Sequence, residues 1–218
     1  MSRSLVIFSQ TSFAKAMKKI LILFAHPALE KSRINQRLIQ RIPDIPGLTF
    51  HDLYQLYPDF YIDVQHEQEL LLQHDIIVLQ HPLYWYSVPP LMKQWIDLVL
   101  EHGWAYGRTG NMLAGKKLLN VFTAGGGKEA YCDQGYNRYT IREFMRPFEQ
   151  TACLCSMSYL PPFVVHGTHK MSAADMENAA ADYQAILNIL ANDQYDTSFL
   201  TSFDYLNDII KPSYEFND

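Results

Sequence analysis

Three stretches of the 218-residue chain collect side chains and backbone able to hold a ligand. The first, Ala25-His26-Pro27-Ala28-Leu29-Glu30-Lys31-Ser32-Arg33-Ile34-Asn35, leaves an apolar segment and enters an amphipathic one. A turn that ends at a helix N-terminus offers unpaired backbone N–H groups and the positive end of the helix dipole, so it favours an anion. His26, Ser32 and Asn35 can add side-chain donors. The plainer alternative is that Ser32 is only an N-cap and His26 a surface turn residue. Neither G-x-G-x-x-G nor a Walker A sequence occurs, which removes the dinucleotide fingerprint and the nucleoside-triphosphate loop and leaves a monophosphate as the better fit.

The second stretch is His81-Pro82-Leu83-Tyr84-Trp85-Tyr86-Ser87-Val88-Pro89-Pro90. Three successive aromatics stiffened by prolines make a stacking surface for a flat heterocycle, although the same rings could cover the core or build an oligomer interface. The third, Thr123-Ala124-Gly125-Gly126-Gly127-Lys128-Glu129-Ala130-Tyr131, holds three of the ten glycines of the chain. Glycines let backbone N–H groups approach a ring edge closely; the alternative is a flexible turn. Together the stretches outline a site for a phosphate at one end and a planar polar ring at the other, which flavin mononucleotide (FMN) fits. His81 and His102 read as structural. Cys153 and Cys155, late in a helical pattern, read as buried free thiols rather than redox groups.

For these loops to face one another, the elements between them must form a layered α/β domain. Short apolar runs at Ile20–Ala25, Leu48–Leu53, Asp75–Gln80, Leu118–Ala124 and Phe163–His166 read as strands. They alternate with helical patterns at Ser32–Ile42, Val64–Gln73, Pro89–His102, Arg138–Thr151 and Ser172–Leu190. Five strand–helix units are too few for a barrel and predict a doubly wound, five-stranded parallel sheet, whose ligands bind beyond the carboxyl ends of the strands. With 48% hydrophobic residues and 19% charged, the length suits one large domain. Eighteen Lys and Arg against 23 Asp and Glu give a net charge of −5, which argues against nucleic acid as a partner. The odd cysteine count, without a Cys-x-x-Cys, points to a reducing compartment and to no structural metal. Residues 1–17 are expected to be a disordered extension, since their apolar run is too short for a signal peptide. In residues 191–218, Phe199, Phe203, Leu206 and Ile210 fall at helical spacing and suggest a short docking helix.

The ordered set FAHP, SRIN, QHPLYWYSVPPLMKQWID, HGWAYG and TAGGG resembles the flavodoxin-like NAD(P)H:quinone oxidoreductases, most closely the ancillary flavoproteins of glutathione-regulated potassium-efflux systems. The likeness spans about residues 18–190. It implies a flavodoxin-like three-layer sandwich and a two-electron, ping-pong reduction of a quinone by NADH or NADPH. The implied cofactor is FMN, with FAD used by some larger relatives. His26 and Ser32, Arg33, Ile34 and Asn35 would hold the flavin phosphate and ribityl chain. Pro82, Leu83, Tyr84, Trp85 and Tyr86 would line the ring, and Thr123, Ala124, Gly125, Gly126 and Gly127 its pyrimidine edge. Tyr131 falls on the tyrosine that stabilises the reduced flavin. Tyr136 and Asn137 stand where the family has a histidine, and would substitute as weaker donors. Trp104 and Tyr106 would join Tyr131 in the substrate pocket. The resemblance also implies a homodimer sharing its active sites, and a cytoplasmic protein that can sit peripherally at the inner membrane through a potassium-efflux antiporter.

Overall fold

The computed structural model describes residues 16–210; the expected N-terminal extension therefore lies almost wholly outside the described residues, as do residues 211–218. Strands β1 (Ile20–Phe24), β2 (Leu48–Asp52), β3 (Ile76–Pro82) and β4 (Lys117–Thr123) pair in the order β2-β1-β3-β4, all parallel. The expected fifth strand is β6 (Phe163–Val165), and a shorter piece ahead of it, β5 (Ser158–Tyr159), was not foreseen; both are parallel to β4. Pro161 and Pro162 lie between them and have no N–H to give to a ladder, which interrupts the strand. Alternate residues of β1 and β3 serve opposite faces: Leu21, Leu23, Ile77 and Leu79 enter one core cluster, Ile20, Ile22, Ile76 and Val78 the other. Burial on both faces is why these strands read as unbroken apolar runs.

Helices α3 (Val64–Leu72), α4 (Pro90–Val99) and α6 (Arg146–Leu154) supply buried residues to the first cluster, α1 (Arg33–Gln40) and α7 (Ala173–Ala191) to the second. The sequence missed a one-turn helix, α2 (Leu53–Leu56), capped by the Asp52 carboxylate. The helix expected from Arg138 to Thr151 is broken. Arg138 has φ +61°, α5 (Ile141–Phe144) starts on a Thr140–Glu143 capping box, and Pro147, which has no N–H for an i→i−4 bond, sits in the first turn of α6. Under α3, the fully buried Glu67 accepts from His51 Nε2 (2.7 Å), Tyr57 Oη (2.5 Å) and Trp95 Nε1 (2.7 Å), tying β2, α3 and α4 together. The C-terminal segment forms two single turns, α8 (Thr197–Leu200) and α9 (Asn207–Ile210), in place of one docking helix. Leu200 and Leu206 are its buried anchors, while Phe199 is exposed. Cys155 is buried, but Cys153, expected to be buried, is exposed, as is Cys132.

Candidate functional site

The chain switches direction across the sheet between β1 and β3, so the loops after β1, β3 and β4 open into one crevice. Two adjoining cavities fill it. The first, about 460 Å³, is lined by His26, Ser32, Arg33, Ile34, Asn35, Pro82, Leu83, Tyr84, Thr123 and Gly125 of the expected cofactor set. The second, about 430 Å³, is lined by Leu83, Trp85, Tyr86, Gly126, Tyr131, Tyr136 and Asn137, with Ala130. Leu83 belongs to both, and Gly125 and Gly126 carry the wall from one to the other.

At the anion end, the Ser32 hydroxyl accepts from the Asn35 amide (3.3 Å) and from Asn35 Nδ2 (2.9 Å), so its own proton is left to donate elsewhere. Asn35, 1% exposed, gives its second amide hydrogen to Thr123 Oγ1 at 3.0 Å. It therefore orients two hydroxyls from behind rather than donating to a ligand, and its buried Oδ1 has no hydrogen-bond partner among the described residues. With Ser32 also accepting from the Gln36 amide through its carbonyl, the Arg33 and Ile34 amides have no backbone acceptor among the described residues. His26 Nδ1 accepts from the Ala28 amide at 3.1 Å, which puts the ring proton on Nε2. Burial lowers the His26 pKa, against the opposing charge of Glu30, so the imidazole is a neutral donor at neutral pH.

At the ring end, Tyr84 and Ser87 exchange backbone hydrogen bonds (3.1 and 3.0 Å) around Trp85 and Tyr86, whose φ angles are +50° and +64°. This is the geometry of a type I′ hairpin turn, which Asn-Gly adopts readily and two aromatics adopt under strain. Tyr86 stacks on Phe144 (centroids 4.8 Å) and donates from Oη to Asn137 Oδ1 at 3.1 Å, whereas Trp85 is 93% exposed. A Cβ on Gly126 would press at 3.3 Å against the Tyr131 ring, and one on Gly125 would have to displace the exposed His169 side chain, 2.4 Å away. Burial raises the Tyr131 pKa, helped by neighbouring Tyr86 and opposed by the Gly126 amide, so the phenol keeps its proton.

Some expectations are not met. Trp104 and Tyr106 do not line this cavity; both are half-buried and pack against the core, because the turn after α4 folds back with the Trp104 and Ala105 amides on the Glu101 carbonyl. Ala124 is fully buried and its amide goes to the Val165 carbonyl, so it spaces the loop, and Gly127 lines neither cavity. Lys31, Thr168 and His169 line the first cavity and His166 lies behind Tyr131, all missed from the sequence. The signal was available: His166-Gly167-Thr168-His169 directly follows a strand that neighbours β4, so it opens at the same mouth. His81 is structural, fully buried with its pKa lowered by burial to about 4, and bonded to the Pro82 carbonyl and Asn120. The exposed His102 packs over Gly107.

Comparison with known proteins agrees with this architecture. The family model described as "Flavodoxin-like fold" matches residues 18–187. The glutathione-regulated potassium-efflux system ancillary protein KefG of Serratia proteamaculans is 46% identical over 165 residues, covering 76% of this chain and 90% of KefG. Among solved structures, general stress protein 14 of Treponema denticola, in complex with FMN, superposes with a TM-score of 0.75 at 39% identity, covering 79% of this chain and 99% of its own. A P. pentosaceus protein described as an NADPH-quinone reductase gives 0.70 at 36% identity, covering 77% and 96%.

Proposed function

The chain belongs to the flavodoxin-like fold family, and from that premise we propose that it binds FMN across the two adjoining cavities and reduces quinones with NADH or NADPH. The observation that carries this reading is the shared wall at Leu83 and Gly125–Gly126, with anion donors on one side and aromatics on the other. The residues present fit the group: a Cβ on Gly126 would crowd the Tyr131 ring, and the Ser32 hydroxyl, His26 Nε2 and the Arg33 and Ile34 amides are the donors for a phosphate. The FMN-bound relative supports FMN over FAD. Bound there, the flavin would supply two-electron hydride chemistry, accepting from the nicotinamide and giving to the quinone in turn. Tyr131 and Asn137 would donate hydrogen bonds where negative charge develops, and the aromatic turn would exclude water from the ring face. Tyr136, 91% exposed, contributes less. One pocket serving both substrates gives ping-pong kinetics. The purified protein is expected to be yellow, to bleach with NAD(P)H without oxygen and to recover its colour with a quinone; a colourless protein that takes up no added FMN refutes the reading.

Two assemblies go with this function. Trp85 and Tyr136 stand bare beside the cavity, and an apolar patch of this kind suits a twofold interface that completes the substrate pocket. Activity per subunit should then fall on dilution; a monodisperse monomer by light scattering with full activity refutes the shared site. The similarity to KefG, named as ancillary to a potassium-efflux system, supports a second role at the cytoplasmic face of an antiporter. No helix among the described residues is long and apolar enough to cross a membrane, so in that role the protein would attach through its partner. Failure to co-purify with the antiporter would remove that role and leave the reductase.

A further inference from the structure

Beyond the family match, the C-terminal segment turns back onto the sheet. The Leu206 amide donates to the Pro162 carbonyl at 3.1 Å, and Asn207 closes a reciprocal pair with one residue of β6. Its Oδ1 accepts from the Val164 amide at 2.9 Å and its Nδ2 donates to the Val164 carbonyl at 3.0 Å. β6 pairs with β4 on its inner side, so Asn207 gives the outer edge what another strand would. This docking brings Tyr205 to the back of the glycine loop. Its ring meets His166 edge-on at 6.5 Å, and Lys128 Nζ lies 5.7 Å from its centroid. His166 is in turn 5.6 Å from the ring of Tyr131, which lines the ring cavity, and Lys128 directly follows Gly127.

We infer that Tyr205 and Asn207 are positioning residues for the ring cavity: the C-terminal segment docks in cis on β6 and holds both the His166–Tyr131 pair and the Lys128 shoulder of the glycine loop. The inference deepens the flavin reading and rests on it. A wall residue is only as well placed as the groups that lock it, and Tyr131 has His166 and Phe144 as its ring neighbours. His166 faces Lys128, Glu129 and Tyr131 on the glycine-loop side, Tyr205 on the tail, and Asp175 and Asp182 of α7 across a small cavity. Burial, reinforced by Lys128 and opposed by Glu129 and the Gly126 carbonyl, pushes its pKa down to about 4, so it is a neutral packing surface at neutral pH.

Tyr205→Ala in the full chain should open this back wall. FMN binding should weaken about tenfold, the lower end for losing a group that orients a binding residue. In flavin-free protein, NMR should show the His166 imidazole titrating nearer its ordinary 6.5. Tyr205→Phe should restore both readings, and Phe199→Ala, which removes an exposed aromatic of the same segment, should change neither. Tyr205→Leu keeps the volume without the ring face, and gives the same comparison if the alanine variant does not fold. Unchanged FMN affinity in the alanine and leucine variants overturns the inference even if His166 titrates differently, because the tail is then only a cover. Wild-type protein that takes up no FMN overturns the flavin reading by itself; the tail's hold on the site then stands or falls on the His166 titration.

Discussion

Tyr131→Phe isolates a single hydroxyl. The ring survives, and with it the contacts to His166 (5.6 Å) and Phe144 (6.4 Å), so folding and FMN affinity should change little. What disappears is a donor beside the negative charge that builds on the ring cavity during reduction. Losing one preorganised donor costs about 10²–10³-fold in a fully dry site. Tyr131 is half-buried, and Asn137 stands in the same cavity with its Oδ1 taken by Tyr86 and its amide hydrogens left to donate. Half-burial and that second donor put the loss below that range, at about tenfold or about 1.4 kcal/mol of barrier. Tyr131→Phe combined with Asn137→Leu should lose about a hundredfold or more. Because the phenol pKa is raised, the wild-type donor stays protonated through neutral and mildly alkaline pH, and its contribution to the rate should be flat there. Anaerobic stopped-flow reduction by NAD(P)H measures this directly. Wild-type speed in the double variant would remove both residues from the mechanism.

Asn35→Ala deletes the bonds to Ser32 and Thr123, at about 1 kcal/mol each, so urea unfolding should show about 2 kcal/mol lost. FMN affinity should fall less than in Ser32→Ala, since the Ser32 hydroxyl itself remains as a donor; calorimetric titration that ranks them the other way would make Asn35 a direct ligand. Burial raises the Glu67 pKa, but hydrogen bonds from His51, Tyr57 and Trp95 outweigh it and the net shift is downward. Its contribution to stability is therefore present above the unfolded value near 4.5 and lost as pH falls through the folded value. Glu67→Gln sets an amide against a donor and should cost about 3 kcal/mol at neutral pH while flattening stability below pH 5 or so, read by thermal melts across pH. Trp85→Asn relieves a left-handed aromatic and should stabilise the fold by about 0.5–1 kcal/mol while slowing quinone reduction, and a fall in melting temperature would show the turn to be unstrained.

The elements most legible in the sequence were those whose burial is uniform. β1 and β3 stand between two helical layers, so nearly every residue is apolar and the run announces itself. The three loops followed from the order of strands, because a parallel sheet sends every strand's carboxyl end to one side. Less legible was what depends on partners far along the chain. Nothing near Asn35 shows that its amide is spent on Thr123, 88 residues away, and so its donors were assigned to a ligand. His169 reaches the first cavity and His166 the back of Tyr131 only because β6 lies beside β4, a pairing that residues 163–169 do not show by themselves.

Trp104 and Trp85 carry the deeper lesson about aromatic residues. Both are large rings in loops beside the same sheet, and composition alone treats them alike. Trp104 follows a helix end whose backbone curls inward, so its ring packs against the core, where burying that much surface stabilises the fold. Trp85 occupies a turn position that costs backbone strain and, being almost fully exposed, returns little packing among the described residues. Strained backbone positions of this kind cluster at active sites, ligand clamps and switch regions. On the reading proposed above, a contact for Trp85 would come from a substrate over the ring cavity, a second subunit, or a membrane-bound partner. All three meet the protein at the same rim, so occupying it for one purpose changes access for the others. If a flavin fills the ring cavity and a partner docks on the same turn, as proposed, the two would be coupled, and a change in ring occupancy would be felt at the docking surface with no moving domain between them.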